Sequence, residues 1–203
     1  MQNFSEIQAL MKSDMEKTDE ILIDRLNSNV DLINQMSQYI IASGGKRLRP
    51  LLLLLSAKAT NYTGTDHHAM AVVIELIHTA TLLHDDVVDE STTRRGQDSV
   101  NELWGNAPSV LVGDFLYSRA FEIMVEPNSM VILRILSKTT NQIAEGEVLQ
   151  LLNIRNTNVS QTEYFKVIEK KTACLFEAAC KIGALLSDSS KKTINSLGDF
   201  GLH

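Results

Sequence analysis

The sequence predicts an all-α protein, and three observations support this prediction. The 203 residues are 44% hydrophobic and 22% charged, which is typical of a globular chain with a buried core. Three prolines and ten glycines are too few to separate the many short strands of a β-sandwich. Apolar residues recur at spacings of three, four and seven along much of the chain, which is the period of amphipathic helices. We therefore expect one domain of packed helices over residues 1–203.

The first half of the chain predicts four helical segments in order. Two periodic segments are separated near residues 27–29, and Gly44-Gly45 ends the second. A third helix begins near Pro50, because a proline in the first turn loses a backbone N–H that would have had no partner there. The fourth segment, about residues 66–90, is largely apolar on all sides, which is typical of a helix in the middle of a bundle. His67-His68 at its start are expected to lie at the surface.

The second half predicts a polar loop and further helices. The loop runs from Glu90 to Gln97, and Pro108 and Pro127 then lie near the starts of two apolar, periodic segments. The ranges expected to be helical are 108–125, 128–152 and 161–186, with one more helix beginning at Lys191.

Composition restricts the location and the partners of the protein. Cys174 and Cys180 lie in an apolar, helix-like stretch and are too few for a disulfide framework, so both are expected to be buried free thiols in a reducing compartment. The first twenty residues are acidic and periodic, unlike a secretory signal. The longest strongly apolar stretch, Pro50 to Leu55, is too short to span a bilayer. With a formal net charge of -6, the chain is expected to be cytoplasmic, with no membrane span and no nucleic-acid partner.

Three carboxylates at the end of the apolar helix are the strongest functional signal. Asp85 and Asp89 project from one face of a helix, and Asp86 lies about 100° around from Asp85. The helix dipole disfavours each anion at a carboxyl end by about 0.3–1 kcal/mol. Two interpretations stay open: a solvated acidic helix end, or carboxylates that bind Mg²⁺ together with substrate phosphates.

Two basic groups favour the second interpretation. One is the stretch Gly44-Gly45-Lys46-Arg47-Leu48-Arg49-Pro50, and the other is Arg94-Arg95. Lysine supplies a point charge and arginine can bind phosphate oxygens through two parallel hydrogen bonds. The first stretch lacks the spacing of a P-loop. Acids accompanied by two separate basic groups indicate diphosphate chemistry.

These motifs resemble those of the trans-prenyl diphosphate synthases, which extend an allylic diphosphate with isopentenyl diphosphate units. The stretch 44–50 is similar to the family's amino-terminal basic motif, and residues 78–89 (HTATLLHDDVVD) with 94–96 are similar to its first aspartate-rich motif. The further similar landmarks, in the family's order, are Gly113-Asp114-Phe115-Leu116, Glu145-Gly146-Glu147 with Gln150, Lys171-Thr172-Ala173 and Gly198-Asp199-Phe200-Gly201.

The resemblance implies an isoprenoid-synthase-type helical bundle around a central cavity, usually a homodimer, and a role for each matching residue. It implies that Mg²⁺, bridging the allylic diphosphate, is held by Asp85, Asp86 and Asp89, and that this diphosphate is touched by Arg94 and Lys171. The residues implied to hold isopentenyl diphosphate are Lys46, Arg49, His78 and Arg95. Gln150 and Thr172 are implied to lie beside the reacting allylic carbons, and His84 is left out of the metal set.

Two small residues before the aspartates predict a long product. Ala80 and Thr81 precede Asp85 by five and four residues, just over one turn, on the wall along which the growing chain should pass. An aromatic side chain there would close the cavity early, so we expect a long-chain product, octaprenyl diphosphate first, and a shorter one from Ala80→Phe. Met124 or another large residue on the following helices is expected to form the floor.

The sequence departs from the family pattern at its end. Family members carry a second aspartate-rich motif shortly beyond Gly-Asp-Phe-Gly, whereas this sequence ends at His203 without it, so the bundle is expected to lack its carboxy-terminal helices. Three hypotheses follow: a fragment of a working synthase, a short protein with impaired activity, or a non-catalytic subunit that binds another synthase. A cyclising terpene synthase is disfavoured, because it needs no second basic group for isopentenyl diphosphate.

Overall fold

The computed structural model describes residues 4–203 and confirms the all-α prediction. The helices are α1 (Phe4–Leu10), α2 (Lys12–Arg25), α3 (Asp31–Ala42), α4 (Leu48–Ala59), α5 (Asp66–Val88), α6 (Val100–Trp104), α7 (Asn106–Met124), α8 (Met130–Asn153), α9 (Gln161–Ile168), α10 (Cys174–Leu185) and α11 (Lys191–Leu202). A π-helical turn, Glu169–Ala173, joins α9 to α10. The sequence predicts one helix over 161–186, and the structure is helical from Gln161 to Leu185 with a wider turn inside this stretch.

Helix α5 lies at the centre of the fold, as its apolar sequence predicts. It packs against α2, α4, α7 and α10. Every residue from Met70 to Ile77 is buried. Neighbouring helices supply fully buried side chains such as Leu53 and Leu116. Each such side chain stabilises the fold by about 1.5–3 kcal/mol, so the position of α5 is set by burial on all its sides.

The loop after α5 contains a short β-ribbon that the sequence analysis does not predict. Strand β1 (Thr93–Arg94) pairs with β2 (Gln97–Asp98) in antiparallel register, with Arg94 opposite Gln97. Arg95 and Gly96 between them both have positive φ, 54° and 80°, as a tight two-residue hairpin requires. The ribbon fixes the backbone of Arg94 beside the end of α5.

Helix entrances agree with the proline positions to within a few residues. Helices α4 and α7 begin at Leu48 and Asn106, so Pro50 and Pro108 lie in the first turn of each. The backbone N–H groups of that turn have no partner within the helix, which explains why proline is tolerated there.

Cys174 and Cys180 are both buried and free, as predicted. Between residues 4 and 203, no helix combines the length and the apolar character needed to cross a bilayer.

Candidate active site

Asp85 lies in the last turn of α5 and contacts a lysine from the π-helical turn. Its Oδ2 is 3.0 Å from the Nζ of Lys171, and that Nζ is also 2.6 Å from Oε2 of Glu147 on α8. The three side chains are between 15% and 28% exposed. Lys171 therefore joins the carboxyl end of α5 to α8, with two carboxylates around one ammonium.

The protonation of this cluster reflects its partial burial. Burial, together with the neighbouring Asp85, raises the pKa of Glu147 to about 7, although the hydrogen bond from Lys171 acts in the opposite direction. Burial alone would lower the pKa of Lys171, but its hydrogen bonds to the two carboxylates raise it. Lys171 therefore stays charged at neutral pH. Its single ammonium lies between two carboxyl groups.

A glycine on α8 allows Lys171 to reach the cluster. A Cβ built on Gly146 would lie 2.7 Å from the backbone nitrogen of Lys171, closer than real Cβ contacts. The π-helical turn packs against α8 at this point. Single π turns inside α-helices frequently occur at functional sites, because the extra residue redirects the side chains around it.

Asp86 faces a different side of α5 from Asp85. Its side chain is 3% exposed, and the Nε of Arg94 donates hydrogen bonds of 3.0 and 3.2 Å to its two oxygens. These bonds raise the pKa of Arg94. The rotation of about 100° per residue separates Asp86 from Asp85, while Asp89 is exposed to solvent. The three acids predicted to act together therefore lie in three different environments: beside Lys171, beside Arg94 and in solvent.

The predicted residues for isopentenyl diphosphate gather on the Arg94 side. The Nη1 of Arg49 donates to the Nε2 of His78 at 3.2 Å, and its guanidinium lies 4.2 Å from the centre of the Phe176 ring. Gly45 has a φ of 147°, and a Cβ there would lie 2.6 Å from the Arg95 guanidinium. The loop before α4 and the β-ribbon are thus in contact. Lys46, which lies in that loop, is exposed.

His78 acts in this group as a neutral acceptor. Burial lowers its pKa to about 3, and the positive charge of Arg49 contributes in the same direction. Because Arg49 can only donate, the Nε2 of His78 carries the acceptor lone pair and its proton is on Nδ1. The cationic surface here comes from the arginines and from Lys46.

A cleft of about 840 Å³ opens beside Asp85 between α5, α7 and α8. Thr81 lines this cleft, because it precedes Asp85 by four residues and is only about 40° around the helix from it. Ala80 is about 140° away and fully buried in the core. Met124 is also buried, whereas Phe121 on the same helix reaches into the cleft. Of the predicted chain-length residues, the structure places Thr81 alone on this wall.

Gln150 and Thr172 share a second cleft with Lys171. This cleft has a volume of about 470 Å³ and is bordered by α8, α9 and the π-helical turn. The predicted grouping of Lys171, Thr172 and Gln150 is therefore present in the structure. His84 points away from it, since its Nε2 donates to the Val110 carbonyl at 3.2 Å.

A comparison with known protein families decides what this site belongs to. The family described as polyprenyl synthetase matches residues 30–203. This range contains every candidate site residue described above. The chain belongs to the polyprenyl synthetase family.

Individual members of the polyprenyl synthetase family resemble the chain over nearly all of its length. The octaprenyl diphosphate synthase of Escherichia coli (strain K12) is 47% identical over 199 residues, which cover 98% of this chain and 62% of that relative. The octaprenyl diphosphate synthase of Haemophilus influenzae is 44% identical over 201 residues, 99% of this chain and 61% of the relative. The chain therefore spans a little over three fifths of the length of these relatives.

Solved structures of the family have the same fold. The polyprenyl synthase from Caulobacter crescentus CB15, complexed with calcium and isoprenyl diphosphate, superposes with a TM-score of 0.96 at 44% identity, covering 98% of this chain and 61% of that one. A decaprenyl diphosphate synthase from Rhodobacter capsulatus gives a TM-score of 0.94 at 40% identity, with the same coverage.

Within this polyprenyl synthetase fold, the sequence analysis assigns no role to two site residues. Glu147 belongs to a quoted landmark, but only the structure shows its contact with Lys171. Glu75 is buried on α5, and its Oε1 accepts a hydrogen bond of 2.9 Å from Arg47. The available signal in the sequence was an acid three residues before His78, inside a largely apolar segment. Acids are rarely buried without a partner.

Proposed function

We propose that this chain carries the substrate site of a long-chain trans-prenyl diphosphate synthase, octaprenyl diphosphate synthase first. The reaction joins an allylic diphosphate, such as farnesyl diphosphate, to isopentenyl diphosphate. One observation carries the proposal: cations flank both sides of the carboxyl end of α5, and a cleft opens directly beside Asp85. Because the chain spans a little over three fifths of the length of the relatives above, the activity of the whole protein is part of this proposal.

Each of the two groups of cations is assigned to one of the two diphosphates. Lys46, Arg49 and Arg95, with neutral His78 as a hydrogen-bonding neighbour, are assigned to isopentenyl diphosphate. Lys171 and Arg94 are assigned to the allylic diphosphate. Arginine and lysine suit these roles because their charge-assisted hydrogen bonds to phosphate oxygens are about twice as strong as neutral ones.

The carboxylates suit a divalent cation of the Mg²⁺ type. Hard oxygen donors bind Mg²⁺ and Ca²⁺, and the two carboxylates around Lys171 outnumber the ammonium between them. We assign the metal to Asp85, Asp86 and Asp89. In this assignment, Asp86 is free to bind the metal when Arg94 leaves its ion pair with Asp86 and binds the substrate diphosphate. A bound dication supplies charge that stabilises the leaving diphosphate. The solved Caulobacter relative is complexed with calcium, which supports a divalent ion.

The residues then act on charge as it develops. The allylic C–O bond breaks, and its electron pair leaves with the diphosphate, where Lys171 and Arg94 stabilise the added negative charge. The double bond of isopentenyl diphosphate attacks the allylic carbon to form the new C–C bond. The product then loses a proton to the departed diphosphate. Gln150 and Thr172 border the cleft that contains Lys171, and the apolar walls limit the access of water to the cation.

Chain length is assigned to the cleft beside Asp85. Thr81 on its wall is small, whereas Tyr117 and Phe121 from α7 are large side chains that also line it. We propose that the product grows past Thr81 and that Phe121, rather than the buried Met124, limits it. Ala80 supports this wall from the core side.

Assembly, location and domain organisation follow from weaker signals. We propose a homodimer in the cytoplasm, in which residues 1–203 belong to one all-α domain. The exposed apolar residues of α8, which include Met130, Val148, Leu151 and Leu152, support a partner surface. The buried free thiols support a reducing compartment. A non-catalytic subunit is disfavoured, because the charged residues of the site are retained and the relatives named above are synthases.

The direct test is turnover by the 203-residue chain. The chain is incubated with Mg²⁺, farnesyl diphosphate and isopentenyl diphosphate, and the products are separated by length. Long prenyl products from the chain, absent with Asp85→Asn, support the proposal. Binding of both diphosphates without turnover supports the site assignment and restricts the activity to a longer form. Failure to bind either diphosphate contradicts the proposal.

A further inference from the structure

A separate group of metal-binding side chains lies at the other end of α5. It consists of Asp14 on α2 with His67 and His68 in the first turn of α5. The Oδ1 of Asp14 is 3.3 Å from the Nε2 of His68 and 3.8 Å from the Nε2 of His67. All three potential ligand atoms lie within 4.8 Å of one another. The sequence analysis expects both histidines at the surface, but their side chains are only 13% exposed because α2 covers them.

These separations are close to those of ligands around one transition-metal ion. Two atoms bound about 2.0–2.1 Å from a tetrahedral zinc ion lie roughly 3.3–3.4 Å apart. One of the two measured separations matches this value and the other exceeds it by a few tenths of an ångström. Since all three ligand atoms lie within 4.8 Å of one another, rotations of the side chains would bring them into one coordination sphere.

The chemistry of the ligands favours a borderline ion such as Zn²⁺ over Mg²⁺. Two imidazoles and one carboxylate form a mixed nitrogen and oxygen set, whereas Mg²⁺ prefers oxygen ligands alone. Burial lowers the pKa of His67, although Asp14 acts in the opposite direction. A neutral imidazole is the form that binds a metal.

The ring of His67 is held by packing rather than by a complete set of hydrogen bonds. Its centroid is 3.8 Å from that of His68 and 5.3 Å from that of Tyr62. Its Nδ1 is buried without a hydrogen-bond partner in the part of the chain that the structure describes. Buried polar atoms are nearly always hydrogen-bonded, so the unpaired Nδ1 of His67 needs an explanation other than hydrogen bonding.

Asp14 is positioned to use one oxygen for an ion. Thr18 donates a hydrogen bond of 2.8 Å to the backbone carbonyl of Asp14, which ties the Thr18 side chain to the first turn of α2. The ammonium of Lys58 is 3.8 Å from Oδ2, so Oδ1 is the oxygen that faces the imidazoles. Lys58 is about half exposed and can move away when a dication binds.

We propose that Asp14, His67 and His68 bind a zinc-class transition-metal ion that fastens α2 to the start of the central helix. Asp85 follows His67 by eighteen residues, so the two ends of α5 are about 27 Å apart at 1.5 Å per residue. The proposed ion therefore lies far from the aspartates and is independent of the metal assigned to them.

Zinc binding by the chelator-treated 203-residue chain tests the proposal. The chain is titrated with Zn²⁺ in millimolar Mg²⁺, which occupies the aspartate end, and affinity is measured by competition with a chromophoric chelator. We expect one zinc equivalent and a thermal midpoint that rises with zinc concentration. Since loss of an outer-shell partner alone costs about 10–100-fold in metal affinity, Asp14→Asn or His68→Ala should cost about 10-fold or more.

Two further variants separate a specific site from general effects. His203→Ala removes an exposed histidine outside the cluster and should leave the affinity unchanged. Lys58→Met removes the competing cation and should strengthen zinc binding, a gain that misfolding cannot produce. Circular dichroism verifies that each variant is helical. Stoichiometric binding that is equal in the wild type, Asp14→Asn and His68→Ala, or no binding by the wild type, overturns the proposal.

Discussion

Replacing Lys171 by methionine removes the cation that joins Asp85 on α5 to Glu147 on α8. Methionine keeps a similar length and a helix-compatible backbone, so the change is mainly one of charge. Without the ammonium, burial and Asp85 act on Glu147 unopposed, and its pKa rises above the value of about 7 that it has in the native protein. Glu147 then takes up a proton at neutral pH, which relieves its repulsion with Asp85.

The structure sets the size of the expected losses in stability and in turnover. At 3.0 Å the attraction between Lys171 and Asp85 is about 5.5 kcal/mol at an effective dielectric constant of about 20, before the cost of desolvation is subtracted. The net contribution of such a charged hydrogen bond to stability is about 1.5–3 kcal/mol, and protonation of Glu147 reduces the loss further. Loss of a donor that stabilises developing charge costs about 10²–10³-fold in kcat. That loss in kcat corresponds to about 2.7–4 kcal/mol, so the effect on turnover should exceed the effect on stability.

The assay compares steady-state kcat and urea unfolding for Lys171→Met with the adjacent Lys170→Met. Lys170 pairs with Glu145, which is about half exposed, so its loss should cost at most about 1 kcal/mol and leave kcat near that of the wild type. If the chain turns over only in a longer form, the two variants are compared in that form. Equal kcat values for the two variants would refute the role assigned to Lys171.

Three further predictions concern the remaining parts of the site. Thr81→Phe should shorten the prenyl product more than Ala80→Phe, as product chromatography will show, because only Thr81 faces the cleft beside Asp85. Arg94→Met should lower the free energy of urea unfolding by about 3–5 kcal/mol, since it leaves the buried carboxylate of Asp86 without its partner. Glu75→Gln should raise the KM for isopentenyl diphosphate with a smaller change in kcat, because the charge that orients Arg47 is lost; an unchanged KM would show that Glu75 only packs.

Much of the fold can be predicted from local patterns. The apolar sequence of α5 predicts a central helix, because a segment without a polar face can be buried on every side. Pro50 and Pro108 mark helix entrances through the missing backbone donor. The β-ribbon and the π-helical turn are not predicted, since each depends on what packs against it. The burial of His67 and His68 under α2 is likewise invisible in the sequence, where the two segments lie about fifty residues apart.

The sequence by itself determined that three acids end an apolar helix and that two basic groups accompany them, because residue type and spacing carry that information. Only the tertiary structure decided which charges meet. It pairs Asp86 with Arg94 and directs Asp85 to Lys171 and Glu147. The reason is geometric: consecutive residues on a helix point about 100° apart, so neighbours in sequence face different partners. The π-helical turn that carries Lys171 and the β-ribbon that carries Arg94 supply those partners.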